Sequence, residues 1–141
     1  MSFTDLYTTS ATATGGRAGS AKTSDDRLSV TLSVPKEMGG DGGPGTNPEQ
    51  LFAAGYAACF EGALRLVART RGITFTGVTV TADITFGNDG AGYGLKAALT
   101  ARVSGVTPDV AADLATAAHA VCPYSKATRG NIPVTITGLA V

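Results

Sequence analysis

The sequence predicts an α+β fold in which a mostly antiparallel sheet is wrapped around one long buried central helix. Two observations lead to this prediction. Segments of alternating apolar and polar residues come in pairs joined by turn residues, as in β-hairpins. Two helical segments lie between these pairs and the last strand, and the first of them is apolar nearly all round. Strands grouped in this way apart from helices indicate α+β, and the 141 residues are predicted to form one domain, 1–141.

The first strand pair is predicted over residues 6–14 and 27–34. Residues 6–14 are rich in threonine and alternate, and residues 27–34 place Leu28, Val30 and Leu32 on one face. A glycine-rich turn, with Arg17 in it, follows the first strand. The pattern predicts a hairpin that precedes the central helix.

A glycine-rich loop over residues 36–46 leads into the helix. Gly40, Gly42 and Gly45 match the spacing of a dinucleotide-binding fingerprint. The match is weak, because the helix is predicted to start beyond the glycines and the flanking strands indicate hairpins instead of a βαβ unit. A surface loop is the favoured interpretation.

The central helix is predicted over residues 47–69. Asn47 is a good N-cap, Pro48 suits the first helical position, and Glu49 lies in the first turn, where the helix dipole favours a carboxylate. Apolar side chains then recur at helical spacing, and residues 51–60 contain almost no polar side chain. A helix of this kind is buried, so the sequence places it in the core.

The rest of the chain predicts a second hairpin, a second helix and a last strand. The strands are expected at 78–86, 93–103 and 132–141, and the helix at 107–121. Such thin hairpins cannot alone enclose an apolar helix, so we expect an intertwined homodimer that shares one core.

Charge and composition exclude several classes of protein. Eleven basic and eleven acidic residues give a net charge of zero, and tryptophan is absent, which disfavours nucleic-acid binding. The N-terminal residues resemble no signal peptide, and Gly, Glu and Arg interrupt the central helix too often for a membrane span. A cytoplasmic location with no membrane association is therefore expected. In a reducing compartment the two cysteines would pair only transiently.

Cys59, in the middle of the central helix, is either a core side chain or a nucleophile. Burial alone would raise its pKa, so a nucleophilic Cys59 needs a desolvated cation. Arg17 is the candidate cation, and Glu49 is the carboxylate that could hold it. From the residues alone, a surface Arg17, a capping Glu49 and a structural Cys59 are the favoured interpretations.

Four segments of the sequence favour a catalytic role for these residues over a structural one. EQLFAAGYAACFEGAL and VCPYSKATRGNIPVTIT resemble the two signature segments of the organic hydroperoxide resistance proteins, in the OsmC-like superfamily, and TATGGRAGSA and LSVPKEMGG resemble the same family. The family consists of dimeric α+β thiol peroxidases. The resemblance implies that Cys59 is the peroxidatic cysteine and Cys122 the resolving one, and that Arg17 and Glu49 are the motif arginine and glutamate. Lys126 departs from the family, which often has asparagine there.

The implied function is the reduction of organic hydroperoxides, including those of fatty acids, to alcohols through a Cys59 sulfenic acid and a Cys59–Cys122 disulfide. The resemblance points to a lipoylated protein, carrying dihydrolipoamide, as the dithiol electron donor, with no cofactor or metal. We expect an apolar substrate pocket lined by Phe52, Tyr56 and Phe60.

Other polar residues near the motifs are interpreted first as structural. His119 has no partner cluster for a metal and is read as a helix-face histidine. Tyr124 and Ser125 could line the site, but a structural role is the first interpretation. Arg129 is expected to brace the final turn and not to contact substrate.

Two other functions remain open at this stage. A peroxide sensor would use the same thiol chemistry without turnover, and no DNA-binding helix supports it. A module that binds apolar ligands would leave both thiols incidental. Catalytic turnover distinguishes the enzyme from both.

Overall fold

A computed structural model describes residues 2–141. The chain forms two compact units, the first ending at Pro48 and the second spanning Glu49–Val141. Each unit contains a three-stranded sheet. The mixed α and β content and the long central helix confirm the predicted α+β class, whereas the single domain over 1–141 stays a prediction.

The first unit contains three short antiparallel strands in the order β1-β2-β3. They are β1 (Ala11–Thr14), β2 (Ser20–Thr23) and β3 (Ser29–Thr31). The prediction of one hairpin between residues 6–14 and 27–34 was therefore wrong, because β2 lies between the two segments and pairs with both. Gly15 and Gly16 have φ of 78° and 60°, so the chain reverses already at Arg17, and a second reversal at Asp26, with φ of 61°, returns it to β3.

The glycine-rich loop is folded tightly against β3. The amide of Thr46 donates to the carbonyl of Thr31 at 2.9 Å, and a Cβ at Gly45 would lie 2.6 Å from the carbonyl carbon of Leu32. Glycine at this position therefore permits a close approach of two backbone segments. This packing supports the interpretation as a structural loop.

The central helix α1 spans Pro48–Thr70, which agrees with the prediction to within one residue at each end. It ends where Gly72 adopts a φ of 67° and the amide of Ile73 donates to the carbonyl of Ala68 at 2.9 Å, a left-handed C-cap. Burial along α1 is one-sided: the buried positions are Tyr56, Phe60, Ala63, Leu64, Val67 and Ala68. Leu66 is 48% exposed in the single chain, so the helix is less enclosed than its composition predicts.

The second sheet has the order β4-β5-β6. Strands β4 (Gly77–Asn88) and β5 (Tyr93–Ser104) form the predicted antiparallel hairpin, whereas β6 (Val134–Ala140) runs parallel to β5. The predominance of antiparallel pairing is confirmed, with this last pair as the exception. Two helices lie between β5 and β6 and carry the chain back across the sheet, as a parallel connection requires.

These connecting helices are α2 (Pro108–Val121) and α3 (Pro123–Thr128). Thr107 caps α2 by accepting the amide of Val110 at 3.3 Å, as its Thr-Pro-Asp sequence predicts. A Cβ at Gly138 would overlap the carbonyl of Ala111, so α2 lies directly on β6. The core formed by α1, α2 and the sheet contains the buried side chains of Leu64, Leu99, Val103 and Leu114.

Helix α1 is long and apolar enough to cross a membrane when judged by length and composition only. Core helices of soluble proteins pass the same test. Here the buried positions of α1 contribute to the core cluster formed with α2 and β5.

Candidate active site

The two cysteines are brought together by α1 and the junction between α2 and α3. Cys59 lies in the middle of α1 and is half-buried, whereas Cys122 is fully buried between the two shorter helices. The Sγ atom of Cys122 lies 3.7 Å from the Sγ atom of Cys59, and both thiols are free. This contact places one thiol within direct reach of the other.

The backbone of Cys122 is tightly constrained. It has φ of −66° and ψ of 125°, the extended conformation that a following proline imposes. Its amide donates to the carbonyl of Ala118 at 2.8 Å, and its carbonyl accepts the amide of Lys126 at 3.0 Å. Cys122 is therefore both the last residue bonded to α2 and the N-cap of α3.

A cluster of three buried hydroxyl groups links α1 to α3. The Oη atom of Tyr56 lies 2.9 Å from Oγ of Ser125 and 3.1 Å from Oγ1 of Thr128. Thr128 Oγ1 also donates to the carbonyl of Ser125 at 3.2 Å. Sequence reasoning did not single out Thr128, and its spacing of three residues from Ser125 on a short helix was the one available signal.

The rings of Phe52, Tyr56 and Tyr124 pack against one another beside the hydroxyl cluster and form an aromatic wall. The ring of Tyr124 stacks on that of Phe52 at 6.2 Å and is tilted against that of Tyr56 at 5.7 Å. A Cβ at Gly55 would lie 2.9 Å from Oη of Tyr124, so glycine leaves room for this ring. Phe52 is partly buried, whereas Tyr56 and Phe60 are fully buried in the single chain. Substrate contact by these three residues stays a prediction.

Burial raises the pKa of the Cys59 thiol above its usual value. A hydrogen bond from the backbone amide of Tyr124 lowers this pKa, and the neighbouring Cys122 raises it. The net effect favours the neutral thiol at neutral pH. A nucleophilic Cys59 therefore needs a positive charge in addition to these groups.

Arg17 and Glu49 belong to different units of the chain. Arg17 lies in the 3₁₀ turn Gly16–Ala18 and Glu49 in the first turn of α1, and both residues are half-buried. Their predicted roles beside Cys59 stay predictions.

Arg129 braces the end of α3, as expected. Its Nη2 atom donates to the carbonyl of His119 at 2.6 Å, joining α3 to the last turn of α2. Burial lowers the pKa of His119, and the charge of Arg129 adds to this effect. Across residues 2–141, no group of three or more His, Cys, Asp or Glu side chains could hold a metal ion.

Comparisons with known proteins agree with this architecture. The family model described as OsmC-like protein matches residues 39–137. An organic hydroperoxide resistance protein of Xanthomonas axonopodis pv. citri is 51% identical over 133 residues, which cover 94% of each chain.

Two solved structures extend the likeness over nearly the whole chain. An organic hydroperoxide resistance protein from Elizabethkingia anophelis has a TM-score of 0.93 at 46% identity and covers 99% of this chain and 100% of its own. One from Legionella pneumophila has a TM-score of 0.89 at 46% identity, covering 98% of each. The α+β fold is that of an OsmC-like protein. Its long helix and its crossover connection hold the two neighbouring thiols. The chain belongs to the OsmC-like family and, within it, to the organic hydroperoxide resistance proteins.

Proposed function

We propose that this protein is a cysteine-based thiol peroxidase that reduces organic hydroperoxides, including those of fatty acids, to alcohols. The observation that carries the proposal is the 3.7 Å separation of the Sγ atoms of Cys59 and Cys122. One thiol is partly accessible and the other is fully buried behind it. A two-cysteine cycle needs this arrangement. Cys59 must react with the substrate, whereas Cys122 must react only with Cys59.

The cycle begins at Cys59. Its thiolate attacks the terminal, proton-bearing oxygen of the peroxide, the O–O bond breaks, and the other oxygen leaves as an alkoxide that takes up the proton released by the Cys59 thiol to form the alcohol. Cys59 becomes a sulfenic acid. The sulfur of Cys122 then attacks the sulfur of Cys59, hydroxide leaves and takes up the thiol proton as water, and a disulfide forms.

The thiolate of Cys59 needs a cation, because burial raises its pKa. We assign this role to Arg17, whose guanidinium stays charged at all relevant pH values and can bind a carboxylate and a sulfur at once. Glu49 would hold the guanidinium in place. The position of Arg17 within the TATGGRAGSA segment, in a turn that glycines allow to reverse sharply, supports the assignment.

The substrate class follows from the apolar side chains around the thiol. Phe52 lies on α1 about two helical turns before Cys59, its ring stacks on that of Tyr124, and it packs against the core. A wall of this kind favours peroxides with a bulky apolar group over hydrogen peroxide. We therefore assign Phe52, Tyr56 and Phe60 to substrate binding. Tyr56 and Phe60, which are buried, would form the base of the substrate pocket.

The disulfide must be reduced for a second turnover. We propose a lipoyl-type dithiol on a partner protein as the donor, since the family resemblance points to one, with no metal or organic cofactor bound by this chain. A cytoplasmic location, where such donors and reducing conditions occur, is part of the same proposal.

The active protein is proposed to be a homodimer. In the single chain Leu66 and Val121 are about half exposed, and together with Val67, Ala117 and Ala120 they line an apolar groove of about 350 Å³. Exposed apolar surface of this kind is typical of subunit interfaces. Burial of this groove by a second copy would complete the enclosure of α1 that its composition predicts.

Turnover with different donors tests the function. We expect the protein to consume many equivalents of an organic hydroperoxide with dihydrolipoamide and far fewer with thioredoxin. A sensor would react once and stop with either donor, and an apolar-ligand module would bind the hydroperoxide without consuming it. Loss of peroxide and appearance of the alcohol, measured together, distinguish these outcomes.

A further inference from the structure

The buried hydroxyl cluster of Tyr56, Ser125 and Thr128 lies one helical turn from each cysteine. Tyr56 precedes Cys59 by three residues on α1, and Ser125 follows Cys122 by three residues on α3. Tyr56 and Ser125 are fully buried and Thr128 is 6% exposed. The cluster therefore joins the two segments that carry the reacting sulfurs.

The hydrogen bonds among the three hydroxyl groups can be assigned one direction of proton donation. Thr128 donates its one proton to the carbonyl of Ser125, so its oxygen accepts from Tyr56. Tyr56 has then used its proton, so its oxygen accepts from Ser125. The cycle runs from Ser125 to Tyr56 to Thr128 and back to the backbone of Ser125, and every hydroxyl proton is used.

Helix α3 contacts α1 through the ring of Tyr124, through the amide of Tyr124 at Cys59 and through the hydroxyl cluster. It is only six residues long, too short to be stable by itself, and its exposed end is held to α2 through Arg129 and His119. The hydroxyl cycle adds buried side-chain hydrogen bonds between α3 and α1. Loosening this link would let Cys122 move away from Cys59 while α2 and the sheet remain in place.

We propose that the Tyr56–Ser125–Thr128 hydroxyl cycle is a positioning device for the resolving cysteine, and that it sets how fast Cys122 attacks Cys59 relative to further oxidation of Cys59. This inference rests on the proposed two-cysteine peroxidase function. The disulfide-forming step must close the separation of the sulfurs from 3.7 Å to ~2.05 Å. In competition with it, a second peroxide transfers an oxygen to the sulfenic acid, leaves as alcohol and produces a sulfinic acid. A well-placed Cys122 protects the protein from that loss.

Two variants remove one hydroxyl each and keep the shape of the side chain. Tyr56→Phe retains the ring in the aromatic wall, and Thr128→Val is nearly isosteric. Thr128→Ser keeps the hydroxyl and serves as the rescue. Tyr93→Phe is the matched control, because Tyr93 is 79% exposed on β5, where its ring contacts Phe86.

The aromatic disulfide dithiobis(nitrobenzoate) tests the positioning without any peroxide. Attack by Cys59 releases one thionitrobenzoate and leaves a mixed disulfide, and attack by Cys122 then releases the second with formation of the Cys59–Cys122 bond. We expect Thr128→Val to slow the second release about tenfold and to leave the first unchanged, and Tyr56→Phe to slow the second release about tenfold relative to its own first release. Thr128→Ser and Tyr93→Phe should match the wild type in both phases.

Repeated exposure to an organic hydroperoxide supplies the second readout. The two hydroxyl-deleted variants should accumulate Cys59 sulfinic acid, seen by mass spectrometry, at about tenfold lower peroxide than the wild type. Equal release kinetics in wild type, Tyr56→Phe and Thr128→Val would overturn the inference, as would equal slowing of both phases in Thr128→Val. A wild-type protein that consumes no peroxide but shows the expected release kinetics would refute the proposed function and leave the positioning role standing.

Discussion

Cys59 and Cys122 are 63 positions apart in the chain, yet their Sγ atoms lie 3.7 Å apart. Cys59 is fixed by a long helix, and Cys122 by a proline-limited junction between two short ones. The contact brings together the two sequence motifs that contain the cysteines.

The resolving role of Cys122 can be tested by Cys122→Ser. Because the buried neighbour can no longer attack, Cys59 should react with one equivalent of peroxide and then stop as a sulfenic acid that further peroxide converts to sulfinic acid. Mass spectrometry of the Cys59 peptide after stepwise addition of peroxide would show this. If Cys122→Ser formed no more Cys59 sulfinic acid than the wild type under the same peroxide treatment, the resolving role would be excluded.

Arg17→Ala tests the source of the positive charge. Burial already raises the pKa of Cys59, so losing the guanidinium should raise it further and move the pH profile of Cys59 alkylation to higher pH. At neutral pH the alkylation rate should fall, roughly tenfold for each unit by which the pKa rises. Arg17→Lys should restore only part of the rate, because an ammonium cannot bind a carboxylate and a sulfur in the same forked geometry.

Superimposable pH profiles for wild type and Arg17→Ala would remove Arg17 from the mechanism. Alkylation should be followed in the Cys122→Ser background, so that only Cys59 reports. Glu49→Gln is expected to shift the profile in the same direction by less, since it acts on Cys59 only through Arg17.

Two glycines on α1 allow a matched test of the aromatic wall. A Cβ at Gly62 meets no atom within 4 Å, so Gly62→Ala should stabilise the protein by ~0.5–1 kcal/mol through helix propensity. A Cβ at Gly55 would press on the ring of Tyr124, so Gly55→Ala should gain less stability and displace that ring.

If Tyr124 and Phe52 line the substrate pocket, Gly55→Ala should raise KM for a bulky organic hydroperoxide about tenfold. The KM for hydrogen peroxide should change little. Gly62→Ala should leave both values unchanged. Identical KM values for the bulky peroxide in the two variants would show that the wall does not contact substrate.

The sequence predicted those parts of the fold that local patterns determine. Capping residues and hydrophobic periodicity located α1 and α2 to within a residue or two, because the Asn-Pro-Glu and Thr-Pro-Asp starts are strong helix signals. It missed β2, whose four residues Ser20–Thr23 are too short and too polar to be distinguished from a loop. The parallel pairing of β6 with β5 could not be predicted either, since it depends on where α2 and α3 carry the chain.

The candidate site was predicted through the two cysteine motifs and not through any local physical signal. Nothing in the spacing of Cys59 and Cys122 indicates contact, since it arises from the crossover between β5 and β6. For the same reason the bond between Tyr56 and Thr128, 72 positions apart, had no counterpart in sequence periodicity. Ser125 proved to be structural in the sense expected, since it is fully buried and bonded to Tyr56.

Turnover of organic hydroperoxide by Cys59 is measured by comparing wild type with Cys59→Ser in the presence of dihydrolipoamide. Serine is nearly isosteric, so the fold should survive, which circular dichroism would confirm, while the nucleophile is lost. We predict that the wild type consumes many equivalents of a fatty-acid hydroperoxide with release of the alcohol, and that Cys59→Ser proceeds at the rate of dithiol alone. Equal consumption by the two proteins would show that Cys59 is not the nucleophile that reduces the peroxide.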